Sequence, residues 1–189
     1  MKKKSKLQKK VDDVSSRLWR NKADKAWREI VFILAKGCCE VCGSKEYPNA
    51  HHIFPRNISI YRHEYMNGIL LCPSDHKYNF KFSAHKNPMR FAIWLIKNQP
   101  KRWEWLLQHE GNMESPPKIN YKEIYLSLDE KLKSLTNILQ QEETQNVLRS
   151  EIESGNSEIH NQPSPDAITD SKSNTGSNNT QDNAPVKEV

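Results

Sequence analysis

The chain has 189 residues, of which 35% are hydrophobic, with a mean hydropathy of −0.87 and a net charge of +6. That length allows one domain with appendages, and so low an apolar content means that part of the chain lacks a core of its own. No signal-like stretch follows the opening lysines, and the longest early apolar run, Val31 to Ala35, is too short to cross a bilayer.

A cytoplasmic, reducing location without membrane association is therefore expected. In that setting a C-x-x-C pair reads as metal or redox chemistry rather than as a disulfide framework. The charge is uneven. Residues 154–189 carry five acidic and two basic side chains, which leaves +9 on the remainder. A basic body favours a polyanionic partner.

Residues 1–22 read as a basic arm or helix holding Lys2, Lys3, Lys4, Lys6, Lys9 and Lys10, either a solvated terminus or a phosphate-binding arm. Leu7, Val11, Val14 and Leu18 recur at helical spacing, as do Trp27, Ile30, Val31 and Leu34. This predicts one or two helices ending at Gly37, which suits a C-cap. They are expected to pack on the segment that follows and to supply a core it lacks. Tyr47–Ile53 reads as a short strand, Asn67-Gly68 as a turn and Ile69–Cys72 as a second strand. Ser74 or Asp75 then caps a helix bearing His76.

Asn87-Pro88 pairs an N-cap residue with proline at the first helical position. Phe91, Trp94 and Leu95 line the helix that follows, and Pro100 separates it from another carrying Trp103, Leu106 and Leu107. Lys97, Lys101 and Arg102 lie among these aromatics, but helical spacing favours tryptophans in a core over base-stacking ones. Residues 111–153 comprise a linker, with Pro116-Pro117, and a helix opened by an Asn120/Glu123 capping box. Its stripe of Ile124, Leu128, Leu132, Leu135 and Leu139 either packs back on the body or mediates self-association through 121–139. Residues 154–189 are rich in Ser, Asn, Thr and Asp without aromatics, the composition of a disordered tail.

The chemistry concentrates between Cys39 and His85. Zinc takes a tetrahedron of ligands from two short turns. Cys39 and Cys42 supply one pair, with Gly43 easing the turn. Cys72 begins a second, and the residue three positions on is Asp75, whose carboxylate can also ligate zinc. A Cys3Asp site and a Cys3His site using the adjacent His76 both stay open, and Cys38 is a spare thiol. His51 and His52 are neighbours on a strand and so point to opposite faces, one toward a metal and the other toward a water.

Together C-E-V-C-G (Cys39–Gly43), A-H-H-I-F-P-R (Ala50–Arg56) and N-G-I-L-L-C-P-S-D-H (Asn67–His76) resemble the HNH endonucleases, whose core is the ββα-metal finger. Tyr61-Arg62, Ser83-Ala84-His85 and the Phe91/Trp94/Leu95 helix extend the likeness to phage-type HNH proteins. The segment A-D-K-A-W (Ala23–Trp27) is similar to relatives of the lambda recombination protein NinG. The resemblance covers about 23–107.

That resemblance implies an α+β fold: a small ββα-metal finger with a zinc knuckle within residues 23–110, flanked by N- and C-terminal helices and followed by the tail. It implies a metal-dependent endonuclease acting on DNA, most naturally double-stranded, in the cytoplasm of a bacterial host or phage-infected cell. By position it makes His52 the general base, and His51 and His76 ligands of one catalytic divalent ion, Mg²⁺ or a transition metal, with His85 the next histidine in line. His76 thereby joins the catalytic set. Asn67 becomes the middle residue of the motif, holding the loop that orients His52. A structural Zn²⁺ would sit on Cys39, Cys42, Cys72 and Asp75. Arg56 and Arg62 are candidate phosphate clamps, because guanidinium forks match phosphate oxygens. If His76 served the zinc instead, the chain would be a non-catalytic zinc module that binds nucleic acid.

Overall fold

The computed structural model of the protein describes residues 4–112, 114 and 118–159, with side chains to Glu153. Five helices and a two-stranded sheet are present among them: α1 (Lys6–Asp12), α2 (Arg17–Leu34), β1 (Asn49–His52), β2 (Gly68–Leu71), α3 (Pro88–Asn98), α4 (Pro100–His109) and α5 (Tyr121–Ile159). Short 3-10 turns cover Ser59–Tyr61 and Tyr65–Asn67, and a single π-helical turn covers Ser74–Tyr78. The chain is thus a mixture of helices around one small sheet, the α+β class. It divides into two compact units, 1–145 and 146–189.

Helix α2 forms because Trp19, Ala23, Ala26, Trp27, Ile30 and Val31 make one apolar stripe, and all six are buried. It ends at Leu34, earlier than Gly37. Lys36 takes the left-handed conformation (φ 53°) and donates to the Ile33 carbonyl, and Gly37 (φ 67°) donates to that of Phe32. This is a Schellman ending with a lysine in the position usually given to glycine.

Strand β1 is shorter than the expected Tyr47–Ile53, because Tyr47 sits at φ 45° and breaks the extended run. It pairs antiparallel with β2, placing His51 opposite Ile69 and His52 opposite Gly68. Gly68 begins the strand rather than forming a turn. A Cβ there would stand 2.5 Å from Val31 Cγ2 and 2.9 Å from the Trp27 ring, so glycine lets α2 lie against the sheet. The outer edge of β2 is covered by the cysteine knuckle. The Glu40 amide donates to the Leu70 carbonyl (2.9 Å), and its carboxylate accepts from the Leu70 amide (3.0 Å).

Side-chain alternation divides the core in two. Leu70 packs with the α2 stripe and with Leu128 of α5, joined by Ile124, Leu132 and Leu135. The leucine stripe therefore packs back on the body as far as Leu135. Ile69 and Leu71 face the other way, toward Phe91 and Leu95 of α3, with Trp94 and Trp103 packed alongside. Those two tryptophans are half-buried and pack against this core, the side their spacing favours. Asn87 and Asn120 cap α3 and α5 through their side chains.

Two expectations need correction. Neither Ser74 nor Asp75 caps a helix; their segment is one π turn preceded by Pro73, and the Asp75 carboxylate has other partners. The expected tail begins inside α5, which continues to Ile159; from His160 onward it lies outside the described residues, as does Pro116-Pro117. Among the described residues no helix is long and apolar enough to cross a membrane.

Candidate metal centres and active site

Neighbouring residues on β1 face opposite sides of the sheet. On one side the His51 ring meets those of His76 and His85, with centroids 4.9 and 5.1 Å away and the latter two 4.9 Å apart. One nitrogen from each lies within 4.8 Å of the others, a set that can hold a metal ion. His85 is thus the third member. It is carried there by the backbone: its amide donates to the His76 carbonyl (3.1 Å), and that of Ala84 donates to the Asp75 carbonyl (2.8 Å).

Burial, with the nearby imidazoles, lowers the pKa of His51 to about 3; burial and then His85 lower that of His76 to about 4. At neutral pH both rings are uncharged and offer lone pairs, the state a metal ligand needs.

The second cluster lies on the far side of the π turn. The thiols of Cys39 and Cys72 donate to Oδ2 of Asp75 at 3.3 and 3.4 Å, and Cys42 Sγ lies 3.7 Å from Cys72 Sγ. These four residues also converge within 4.8 Å. Three soft sulfurs and one carboxylate are a donor set compatible with zinc. Cys38 stands apart, its thiol directed at the Lys36 carbonyl. Asp75 therefore lies with the cysteines and His76 with the histidines.

His52 is held by two contacts. Its Nε2 lies 2.8 Å from the Arg62 carbonyl. A carbonyl only accepts, so Nε2 carries the proton and Nδ1 keeps the lone pair. The ring stacks on Trp27 with centroids 3.9 Å apart and planes 17° from parallel. Burial, partly offset by the carbonyl bond and reinforced by Arg56 and Arg62, lowers its pKa to about 4.

The loop supplying that carbonyl is pinned from within and without. Asn67 is fully buried; its Oδ1 accepts from the Phe54 amide (2.6 Å) and its Nδ2 donates to the Tyr61 carbonyl (2.9 Å). From α2, Asp24 accepts from Arg62 Nε and Nη2 (2.8 and 2.7 Å) and pairs with His63 Nε2 at 2.8 Å. Burial alone would raise the Asp24 pKa, but bonds from Arg62 and His63 hold it well below the carboxylate range. Trp27 Nε1 donates to the Glu64 carbonyl (2.9 Å).

Of the two candidate clamps, Arg62 is the less free: its side chain is 13% exposed and bonded to Asp24 and to the Arg56 carbonyl, which braces the loop. Arg56 is different: its side chain is 61% exposed and its nearest carboxylate oxygen is 3.7 Å away. It lines a cleft of about 910 Å³ that contains His51, His52, His76 and His85, with Arg28 and Lys77 also on the wall and Asp24 its only carboxylate among the described residues.

The sequence placed Trp27 on a helical stripe and Arg102 among aromatics, but pointed neither to the site, and it marked out none of Asp24, His63 and the Glu40–Arg102 pair (2.9 Å). The available signal was an aspartate three residues before Trp27 on the buried stripe of α2, a position where an unpaired charge is costly.

The HNH endonuclease family model matches residues 39–79. That stretch holds Cys39, Cys42, Cys72, Asp75, His51, His52, Asn67 and His76, and excludes His85, Asp24, Trp27 and Arg102. No curated protein and no solved structure matches the chain.

Proposed function

We propose that the protein is a metal-dependent HNH endonuclease that hydrolyses DNA phosphodiester bonds. The HNH match supports a nuclease or other metal-linked function on nucleic acid. One observation carries the finer reading: His52 holds a lone pair on Nδ1, fixed by the Arg62 carbonyl, in the same basic cleft as three converging histidines.

The donor set of His51, His76 and His85 fits a divalent ion. Such an ion, when bound, supplies Lewis-acid relief of charge on the phosphate and the leaving 3′ oxygen. The remaining work falls to the chain. His52 Nδ1 accepts a proton from the attacking water, while the Arg62 carbonyl and the Trp27 face keep the ring from turning. Arg56, Arg28 and Lys77 receive the substrate's phosphates. Asn67 holds the loop whose carbonyl orients His52. Cys39, Cys42, Cys72 and Asp75 would hold a metal that joins the knuckle to the π turn carrying His76.

Within this reading, residues 23–110 form the functional domain, because Asp24 and Trp27 at one end and Arg102 at the other brace the finger. The likeness of Ala23–Trp27, Tyr61-Arg62 and Ser83–His85 to phage-type HNH proteins supports a role in a phage-infected or bacterial cell. The test is a plasmid-cleavage assay across Mg²⁺, Mn²⁺, Ni²⁺ and Zn²⁺, beside His52→Ala. Metal-dependent nicking or cutting that His52→Ala abolishes is expected; full activity in that variant removes the role given to His52.

A further inference from the structure

Beyond the histidines, the segment Lys77–Phe82 (K-Y-N-F-K-F) turns two aromatic rings outward. Tyr78 is 70% and Phe80 75% exposed, while Phe82, two residues on, packs against Phe91 and Trp94 in the core. The outward rings are not on a slack loop. Asn79 Oδ1 accepts from the amides of Lys81 and Phe82 (2.9 and 3.2 Å), and Arg90 Nη1 donates to the Lys81 carbonyl (3.3 Å).

These rings border a cavity of about 440 Å³ lined by Lys77, Tyr78, Phe80, His85 and Lys86. Lys77, Tyr78 and His85 also line the larger cleft, so the two spaces share a wall, and that wall holds one of the converging histidines. Lys86 Nζ lies 5.3 Å from the Phe80 ring centre, and among the described residues no carboxylate lines this cavity.

We propose that the Tyr78/Phe80 pocket binds unpaired bases of single-stranded DNA next to the scissile phosphate. The argument is charge and shape together. Held, water-exposed aromatic faces flanked by lysines match a strand whose bases stack and whose phosphates pair with cations. In duplex DNA the base faces are covered by their neighbours, so the pocket selects a strand that is single, frayed or branched where it is cut. This rests on the endonuclease reading and narrows its substrate class.

The experiment uses the full chain carrying His52→Ala, so that nothing is cleaved. Fluorescence anisotropy follows three labelled probes: an oligothymidylate of about fifteen nucleotides, within the usual site size; an abasic oligomer of equal length; and a duplex of equal length. Tyr78→Ala/Phe80→Ala is expected to weaken the oligothymidylate about tenfold or more, the range of base–aromatic stacking. The abasic and duplex probes should change less than about twofold, since they offer phosphates without free base faces. Phe80→Trp should retain the binding.

Unchanged oligothymidylate affinity in the double variant, or an equal loss on all three probes, overturns the pocket while leaving the endonuclease reading intact. If the parent binds none of the probes, the endonuclease reading itself falls, and this inference with it. Both rings are exposed, so their removal does not threaten the fold.

Discussion

Asp75 and His76 are consecutive, yet the Asp75 carboxylate lies 3.3 Å from Cys39 Sγ while the His76 ring sits 4.9 Å from that of His51. One turn of backbone thus feeds two metal-capable clusters. Each residue should then be separable by metal analysis. Asp75→Ala is expected to weaken metal retained by the cysteines by about ten- to a hundredfold. His76→Ala should leave that metal in place and lower only a second equivalent. Zinc lost from His76→Ala but kept in Asp75→Ala, measured by mass spectrometry after dialysis, would reverse the assignment.

Asp24 binds the Arg62 fork, whose carbonyl in turn holds His52. Asp24→Asn leaves a largely buried guanidinium without its counter-charge and should cost about 3 kcal/mol in urea unfolding. Because the folded-state pKa of Asp24 is depressed, its stabilisation is complete above the unfolded value near 4 and is lost as pH falls below it. The Asn variant should lack that acid-dependent component. In cleavage assays kcat should drop, since Asp24 acts on His52 through Arg62.

The three depressed histidines set a second pH window. His51, His52 and His76 titrate at about 3, 4 and 4 in the folded chain against 6.5 unfolded. Between those values the unfolded chain binds more protons, so stability rises with pH. Metal-free protein should therefore lose stability steadily on acidification from about pH 6.5 to about pH 4. Urea midpoints across that range check it; a flat profile would mean that the rings are hydrated and ordinary.

Arg56 and Arg62 should part company in DNA binding. Arg56→Ala removes one exposed phosphate partner, so the slope of log affinity against log salt should fall by about one. Arg62→Ala should leave that slope unchanged and lower the melting temperature instead. Fluorescence titrations at several salt concentrations distinguish them.

Much of this architecture was readable in the chain. The α2 stripe, the Asn87-Pro88 start and the Asn120/Glu123 cap are local patterns whose meaning does not depend on distant residues. Strand boundaries were less so: β1 is cut short by a positive φ at Tyr47, and glycine at 68 reflects packing against α2, which no local signal states. Arg62 looked like a phosphate ligand because its partner lies 38 positions earlier in the sequence.

The sequence by itself determined the chemical inventory: three thiols and a carboxylate at turn spacing, a tandem histidine on a strand, an asparagine and further histidines beyond. Only the tertiary structure decided the allegiances. It sent Asp75 to the sulfurs and His76 to the imidazoles, brought His85 in as third ring, and placed Asp24 and Trp27 behind His52. The physical reason is that side-chain type sets which bonds are available, whereas a bond's strength falls steeply with distance, and those distances exist only once the sheet, α2 and the π turn have packed together.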